Sequence, residues 1–590
     1  MRYLCEFSSR PWRAALPVFV LLLVLAVACG SAAEPQITAN PAPQEPAATG
    51  STGAAPTAAP TPASPSAVAS TEVHPGKLTI MVGDLSNERF DPLFAVGGHG
   101  GQTYGKIVHG SLISTDERLR PLPGIASDWN ISEDGLTWTF TIREGVKFHD
   151  GSELTPQDVL WTLQHYFGPQ AVEYTNQSNA AVLSRAMDRI GLRGPDEVSL
   201  TTQRPTTQVG ILVGEAASNW FPVLPKRATV HDEAEETAYD NNPIGAGPMK
   251  LVGHTPAQVM NFERFGDYYY QPDNGFPEDK RVKFQSLDLF LVPEEATRVA
   301  ALRAGEADIV PASLAAKEQI EAGGGRLVFG QEGVALEARW IGCWEPQLPC
   351  HDKRVRQALD YAIDKELIRD RLYGGPEVLH LKGWVGTTPN AIGYTDALRP
   401  RPFDPTKARQ LLAEAGYKTP DNPTGKDFGK LIVNTWADTA APLQVEGAQL
   451  AADLWKKELG LDVEVRVSDE TATKDQWYAG QLNGQMMWRS DETRPDASAW
   501  LNTAYGDLET RNRRHEDPVL ARTVLDTVEI IDPDKRAEAM KQLFLRLQDE
   551  SYQLAIGYVN IPWAVGPRVV TWQPYPMSGW VTALHTVTLK

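Results

Sequence analysis

Asp134-Gly135-Leu136-Thr137-Trp138-Thr139-Phe140-Thr141-Ile142-Arg143-Glu144-Gly145-Val146-Lys147-Phe148-His149-Asp150-Gly151 is the most informative stretch of this 590-residue chain. Thr137 to Ile142 alternates polar and apolar side chains, the pattern of a half-buried strand. Turns are expected at Glu144-Gly145 and Asp150-Gly151, where glycine tolerates the required backbone. Thr155-Pro156-Gln157-Asp158 then supplies an N-cap, a first-turn proline and an early acid, which predicts a helix running through Trp161 and Leu163.

The same alternation of short strands and capped helices continues toward the C-terminus. Val355, Ala358, Leu359, Ala362 and Ile363 fall at helical spacing, and Asp364 is expected to cap a second helix that stops at Gly374-Gly375. Asp404-Pro405 opens another helix ending at Gly416, and Val463, Val465 and Val467 predict a strand after a helix that ends near Gly460. Asp532-Pro533 starts a late amphipathic helix carrying Leu543, Leu545 and Leu547. From Lys77 onward the chain exceeds the size at which one core stops growing, so an α/β protein of two or three lobes is expected.

These segments, in this order, resemble the peptide and nickel class of ABC-transporter substrate-binding proteins, the bacterial extracellular solute-binding family 5. The densest match is Asp134 to Gly151 with Thr155 and Asp158-Val159. It is followed by Pro243-Ile244-Gly245-Ala246-Gly247-Pro248, and by Val299-Ala300-Ala301-Leu302 with Gly305-Glu306-Ala307-Asp308. Arg354 to Leu359 with Ala362-Ile363-Asp364, and Asp404-Pro405 with Lys407-Ala408 and Ala415-Gly416-Tyr417, complete the series. His149 and Asp150 are expected to order a hairpin rather than touch a ligand.

The resemblance implies a periplasmic-binding-protein-like two-lobed α/β fold of the cluster C type, with an extra subdomain, mixed sheets flanked by helices, and a two-strand hinge. Ligand would enter the cleft between lobes, and closure would bury it. The expected organisation is 76–335 for the first lobe, with the extra subdomain at about 112–235, then 336–556 for the second lobe and 557–590 for a return to the first. The hinge crossings are expected near Glu332 to Arg339 and near Ala555 to Asn560.

The resemblance also nominates ligand contacts. In peptide-binding members an aspartate after a tryptophan-containing strand pairs with the ligand's amino terminus, a charge-assisted bond that is strong where water is excluded. Here the matching stretch is Trp488-Arg489-Ser490-Asp491, so Asp491 is the candidate, with Trp488 as an apolar wall and Arg489 between them. The loop that follows reads Pro495-Asp496 where the family commonly has Asp-Pro, which puts amine recognition in doubt. Arg339, Trp340 and Trp344 occupy a strand that approaches the cleft in relatives, and Tyr104 and Trp436 are further candidates. The rings could stack on a peptide or sugar plane and Arg339 could fork onto a carboxylate; packing is the alternative for each. A peptide is the favoured solute and an oligosaccharide the alternative, because 16 tryptophans could supply stacking surfaces.

The N-terminus addresses the compartment. Arg2, Arg10 and Arg13 precede an apolar run from Ala14 to Ala28, the layout of an export signal over 1–28. Ala26-Val27-Ala28-Cys29 resembles a bacterial lipobox, with Ala26 where leucine is commonest, so Cys29 is the expected lipidation site. Residues 29–75 are rich in Ala, Pro, Ser and Thr, and read as a disordered tether with little to bury. Lipid anchoring to the outer face of the cell membrane, or release into the periplasm, follows as the expected location. Export also favours a disulfide between Cys343 and Cys350, across a turn containing Pro346 and Pro349; two unpaired thiols are the alternative.

A net charge of −19 disfavours nucleic acid as a partner. Gly100-Gly101-Gln102-Thr103-Tyr104-Gly105-Lys106 imitates a phosphate-binding loop, but Ile107 stands where Ser or Thr must meet magnesium. HExxH and GxSxG motifs do not occur, and adjacent acids such as Glu294-Glu295 splay apart on a helix. The expectation is therefore a monomeric receptor, not an enzyme, without cofactor or metal, working with separate ABC permease and ATPase subunits. A lipid-anchored hydrolase is the alternative class.

Overall fold

Two long antiparallel strands, Arg326–Trp340 and Gln553–Val565, form the spine of an eleven-stranded mixed sheet. Every residue from Gln553 to Val565 is buried, as expected for a central strand covered on both faces. The computed structural model describes residues 76–590 except 86–87, 94–99, 170, 172–177, 217–219, 228–237, 385, 439–440, 442 and 511–512. The export signal, Cys29 and the tether lie outside the described residues. Among those described, no helix is long and apolar enough to cross a membrane.

The spine changes neighbours along its length. Arg326 to Gly330 pair with Ile561 to Val565, and on that side the sheet continues through Ile309–Pro311, Lys77–Val82, Ser286–Leu291, Val259–Arg264 and Met249–Thr255. Val334 to Arg339 go on pairing with Gln553 to Val559, and Val334 to Trp340 have Met486–Glu492 on their other edge, beyond which lie Lys430–Thr435 and Asp462–Val467. The register shifts between Gly330 and Val334, where Glu332 adopts a φ of 55°. Such a bulge bends a strand and raises its twist. The Asn560 side-chain oxygen accepts the Glu332 amide at 2.8 Å, so the irregular backbone keeps its hydrogen bond. The stretches expected to carry the chain between lobes, Glu332 to Arg339 and Ala555 to Asn560, fall in these two strands.

The signature stretch builds a separate four-stranded sheet. Thr137–Ile142 lies between Ala126–Ile131 and Glu197–Thr202, with Met187–Leu192 at the edge. Trp138, Thr139 and Phe140 are all buried, so the expected half-burial is exceeded. The reason is a second layer: Gly210 approaches the Trp138 ring so closely that a Cβ there would sit 2.5 Å from it, and the indole N–H donates to Thr206 O at 2.8 Å. The predicted helix runs from Pro156 to Phe167, and Asp158 accepts the Thr155 amide and hydroxyl at 2.9 and 2.6 Å.

The turn residues of the signature do structural work. The His149 amide donates to Gly245 O, and its Nε2 bonds Gly247 O at 3.0 Å. Asp150 accepts the Ser152 amide and hydroxyl. Gly245 and Gly247 press against the end of the helix Gly100–Val108, where an added Cβ would lie 2.0 Å from Val108 O or 2.5 Å from its carbonyl carbon. The phosphate-loop look-alike is thus largely the body of a helix. Asp364, Asp404 and Asp532 cap the helices Lys365–Leu372, Pro405–Glu414 and Pro533–Glu550, each accepting a first-turn amide. Cys343 and Cys350 are joined by a disulfide with a Cα separation of 5.3 Å.

Candidate functional site

A chamber of about 420 Å³ opens between the four-stranded subdomain and the segments 390–392, 494–500 and 531–536 of the opposite lobe. Trp129, Ile131, Trp138 and Ile211 form one wall, and Trp500 and Ile392 contribute to the other. Strand alternation places Trp129 and Ile131 on one face of Ala126–Ile131, and the flat backbone of Gly210 leaves room for the Trp138 ring. Arg494 and Arg536 bring guanidinium groups to the same space. Its volume falls in the usual range of small-molecule sites.

A second cavity of about 100 Å³ shares Leu119 and Ala216 with the chamber and reaches the bulged spine at Gly333. Its charged lining is balanced, with Lys106 and Lys280 against Glu215 and Glu492. Lys280, almost fully buried, donates to Ser114 Oγ at 2.9 Å and lies 3.4 Å from Glu215 Oε2. Burial opposes ionisation of Glu215, but the Lys280 charge and the Ser114 hydrogen bond outweigh it and hold the carboxyl below its usual range. The His585 imidazole beside them is kept neutral, its pKa lowered to about 4 by burial and by Lys280.

Arg339, Arg489 and Asp491 come together, on one face of the paired strands Arg326–Trp340 and Met486–Glu492. Asp491 lies directly across from Ala335 and Arg489 across from Glu337. The Asp491 carboxylate is held by Arg339 at 2.8 Å, Arg514 at 3.1 Å and Arg494 at 3.4 Å, and Arg339 also pairs with Glu337. Burial would raise the Asp491 pKa, but the charges of Arg494, Arg489 and Arg339 hold it well below the ordinary range. Glu337, wholly buried, moves the other way because desolvation exceeds the pull of Arg339. Trp477 and Trp500 lie 5.4 and 5.2 Å from the Arg339 and Arg514 guanidiniums and close the cluster off.

The other candidates are dispersed. Trp488 points to the opposite face of its strand and packs on Gly447 of the helix Gln444–Leu459. Tyr104 is fully buried, its ring 4.9 Å from Phe90. Trp340 is core, Trp344 lies 5.6 Å from the Arg513 guanidinium, and Trp436 lies under Arg489 at 5.6 Å. None of the eight sequence candidates lines either of the two cavities. Among the described residues, no group of three or more His, Cys, Asp or Glu side chains is placed to hold a metal ion.

The description "bacterial extracellular solute-binding proteins, family 5 Middle" matches residues 120–511, a segment holding the signature strand, the spine strand Arg326–Trp340 and Asp491. The chain belongs to this family. Heme-binding protein A of Haemophilus influenzae is 28% identical over 367 residues, which cover 57% of this chain and 63% of that protein. Glutathione-binding protein GsiB of Pectobacterium atrosepticum is 29% identical over 317 residues, 54% and 57% of the two chains. The match thus spans less than two thirds of the length of these two relatives. A dipeptide-binding protein of Pseudomonas aeruginosa is 27% identical over 460 residues, 72% of this chain and 78% of that one. Among solved structures, the Helicobacter pylori periplasmic binding protein DppA in complex with peptide STSA superposes with a TM-score of 0.71 at 19% identity. It covers 87% of this chain and 98% of its own. The likeness establishes the two-lobed periplasmic-binding fold.

The family signature itself pointed at one chamber residue without marking it, since Trp138 sits in the quoted strand. Arg494 lay three residues from a candidate. Trp129, Trp500 and Arg536 carried no separate signal, because the segments that bring them together are far apart in sequence.

Proposed function

We propose that this chain is the extracytoplasmic solute receptor of an ABC importer, which captures a small solute between its lobes and delivers it unchanged to a permease driven by separate ATPase subunits. The observation that carries this reading is the chamber walled by Trp138 and Gly210 on one lobe and Trp500 and Arg494 on the other, in a chain of family 5. A site divided between two lobes joined by two strands couples occupancy to closure, because ligand contacts complete themselves only when both walls meet. Relatives named for dipeptide, glutathione and heme support a solute of that size class, with a peptide favoured. Lipidation at Cys29 and a monomeric state belong to the same proposal, with the tether giving reach from the membrane.

The test is native mass spectrometry of the purified protein, followed by tryptophan fluorescence as the released solute is added back. A bound small molecule and a saturable spectral change without turnover are expected. Conversion of the solute into product would overturn the receptor reading in favour of a hydrolase. Palmitate labelling that persists in a Cys29→Ser variant would remove the lipid anchor from the proposal.

A further inference from the structure

We infer that the chamber selects a solute with an apolar body and a carboxylate-type anionic head, and that it does not recognise the ammonium end of a peptide. This rests on the receptor reading above and specifies its ligand.

The polar capacity left open in the chamber is weighted toward donors. Among the described residues lining it, the buried side-chain atoms without a hydrogen-bond partner are Thr115 Oγ1, Thr207 Oγ1, Trp500 Nε1 and Arg536 Nε. The parent residues are all more than nine-tenths buried. An indole N–H and a guanidinium Nε–H can only donate, and a hydroxyl can do either. Leaving such groups unpaired in a dry site is costly, so the matching ligand presents oxygen acceptors.

The charges agree. Arg494 and Arg536 reach the chamber from one lobe and Arg118 and Arg120 from the other; Arg120 pairs with Asp116 at 2.6 Å, Arg494 with Glu492 at 3.1 Å and Asp491 at 3.4 Å, and Arg536 with Asp496, which leaves their remaining N–H groups as donors. Asp496 is the acid in the lining, and it is engaged by Arg536 at 3.3 Å and by the Ser498 amide at 2.8 Å. The acid that would receive an ammonium group, Asp491, is held by three guanidiniums. In a chain of net charge −19, four arginines on one apolar chamber offer N–H donors to an anionic head, while the acid in the lining is already engaged and gives an ammonium group no open carboxylate. The walls of Trp129, Trp138, Ile131, Ile211 and Ile392 supply the apolar surface that the body of the solute would cover. A blocked hydrophobic peptide and a non-peptide aryl or alkyl acid share the required chemistry.

Isothermal titration of the full chain with three probes separates the possibilities. N-acetyl-Leu-Leu carries a carboxylate and no amine, Leu-Leu-amide carries an amine and no carboxylate, and 4-phenylbutyrate is a non-peptide acid. The two acids are expected to bind at least tenfold more tightly than the amide, and their ratio tells a peptide source from a non-peptide one. Trp500→Phe, which keeps an aromatic ring but loses the N–H, is expected to weaken the acids several-fold with an unchanged melting temperature. Amide binding equal to or tighter than the acids would overturn the inference and leave the receptor reading standing. Failure of all three probes, together with no solute released from the purified protein, would overturn both.

Discussion

Arg339 donates to Asp491 at 2.8 Å from two cross-strand positions away, with Glu337 as its second carboxylate and Arg489 directly opposite Glu337. The arrangement turns one face of two central strands into a buried alternation of charge. Removing one member of such a group leaves the others uncompensated in low dielectric, which costs about 3–5 kcal/mol. Arg339→Met is therefore expected to lower unfolding free energy by about that amount in urea denaturation. Because desolvation already pushes Glu337 toward its neutral form, Glu337→Gln in the same chain is expected to restore a large part of the loss. A loss below about 1 kcal/mol for Arg339→Met would show that solvent reaches the cluster.

The glycines of the second family segment are required by contact, and those of the signature turns by conformation. A Cβ at Gly245 would lie 2.0 Å from Val108 O, with His149 bonded to both Gly245 and Gly247 nearby. At Gly151, with φ of +86°, no atom lies within 4 Å of the added carbon. Gly245→Ala should thus cost about 3 kcal/mol or more through forced backbone displacement, and Gly151→Ala about 1–2 kcal/mol through the left-handed backbone alone. Thermal unfolding of the two variants gives the ranking; equal losses would remove the packing argument.

What the sequence made legible was local. The strand Thr137–Ile142 and the helix starts at Asp364, Asp404 and Asp532 depend on residues within a few positions of one another, so alternation and capping chemistry suffice to find them. The two-lobed fold was legible because the order of such pieces resembles that of a family. The chamber between the lobes was not. Trp129 and Trp138 meet Arg494 and Arg536 from a distance of hundreds of residues along the chain, and nothing in the immediate neighbourhood of Arg536 distinguishes it from a helix-surface arginine. The guanidinium partners of Asp491 include Arg514, which tertiary structure alone delivers. Alternation also underestimated the burial of Trp138, because the covering layer at Gly210 comes from a separate segment.

The Cys343–Cys350 bridge closes a short loop beside the strand that carries Arg339. In the chain-entropy account a loop of this length contributes about 2–3 kcal/mol. A Cys343→Ala/Cys350→Ala double variant is expected to lose about that much in denaturant titration while retaining solute binding, since neither cysteine lines the chamber or the cavity beside it. Loss of binding with unchanged stability would instead place the loop in the ligand's path.

Acid should destabilise the fold well above the carboxylate range. Burial is the main cause in four histidines, lowering His109 to about 3 and His149, His515 and His585 to about 4. In the unfolded chain each protonates near 6.5. Between pH 6.5 and about 4 the unfolded state consequently binds more protons, so stability falls as pH drops through that window. Glu337 acts in the opposite sense, because its raised pKa lets the folded state hold a proton that the unfolded state has lost, and Asp240, Asp308 and Glu332, also raised by burial, act with it and reduce the slope set by the histidines. Asp491, with its depressed pKa, adds a further loss only below about pH 4. Unfolding free energy measured at pH 7 and pH 4.5 should differ by on the order of a few kcal/mol. His149→Gln, which removes one of the four groups, should flatten the dependence by up to about 1.4 kcal/mol per pH unit. A pH-independent midpoint from 7 to 4.5 would mean that these imidazoles are protonated in the folded protein as readily as in the unfolded chain.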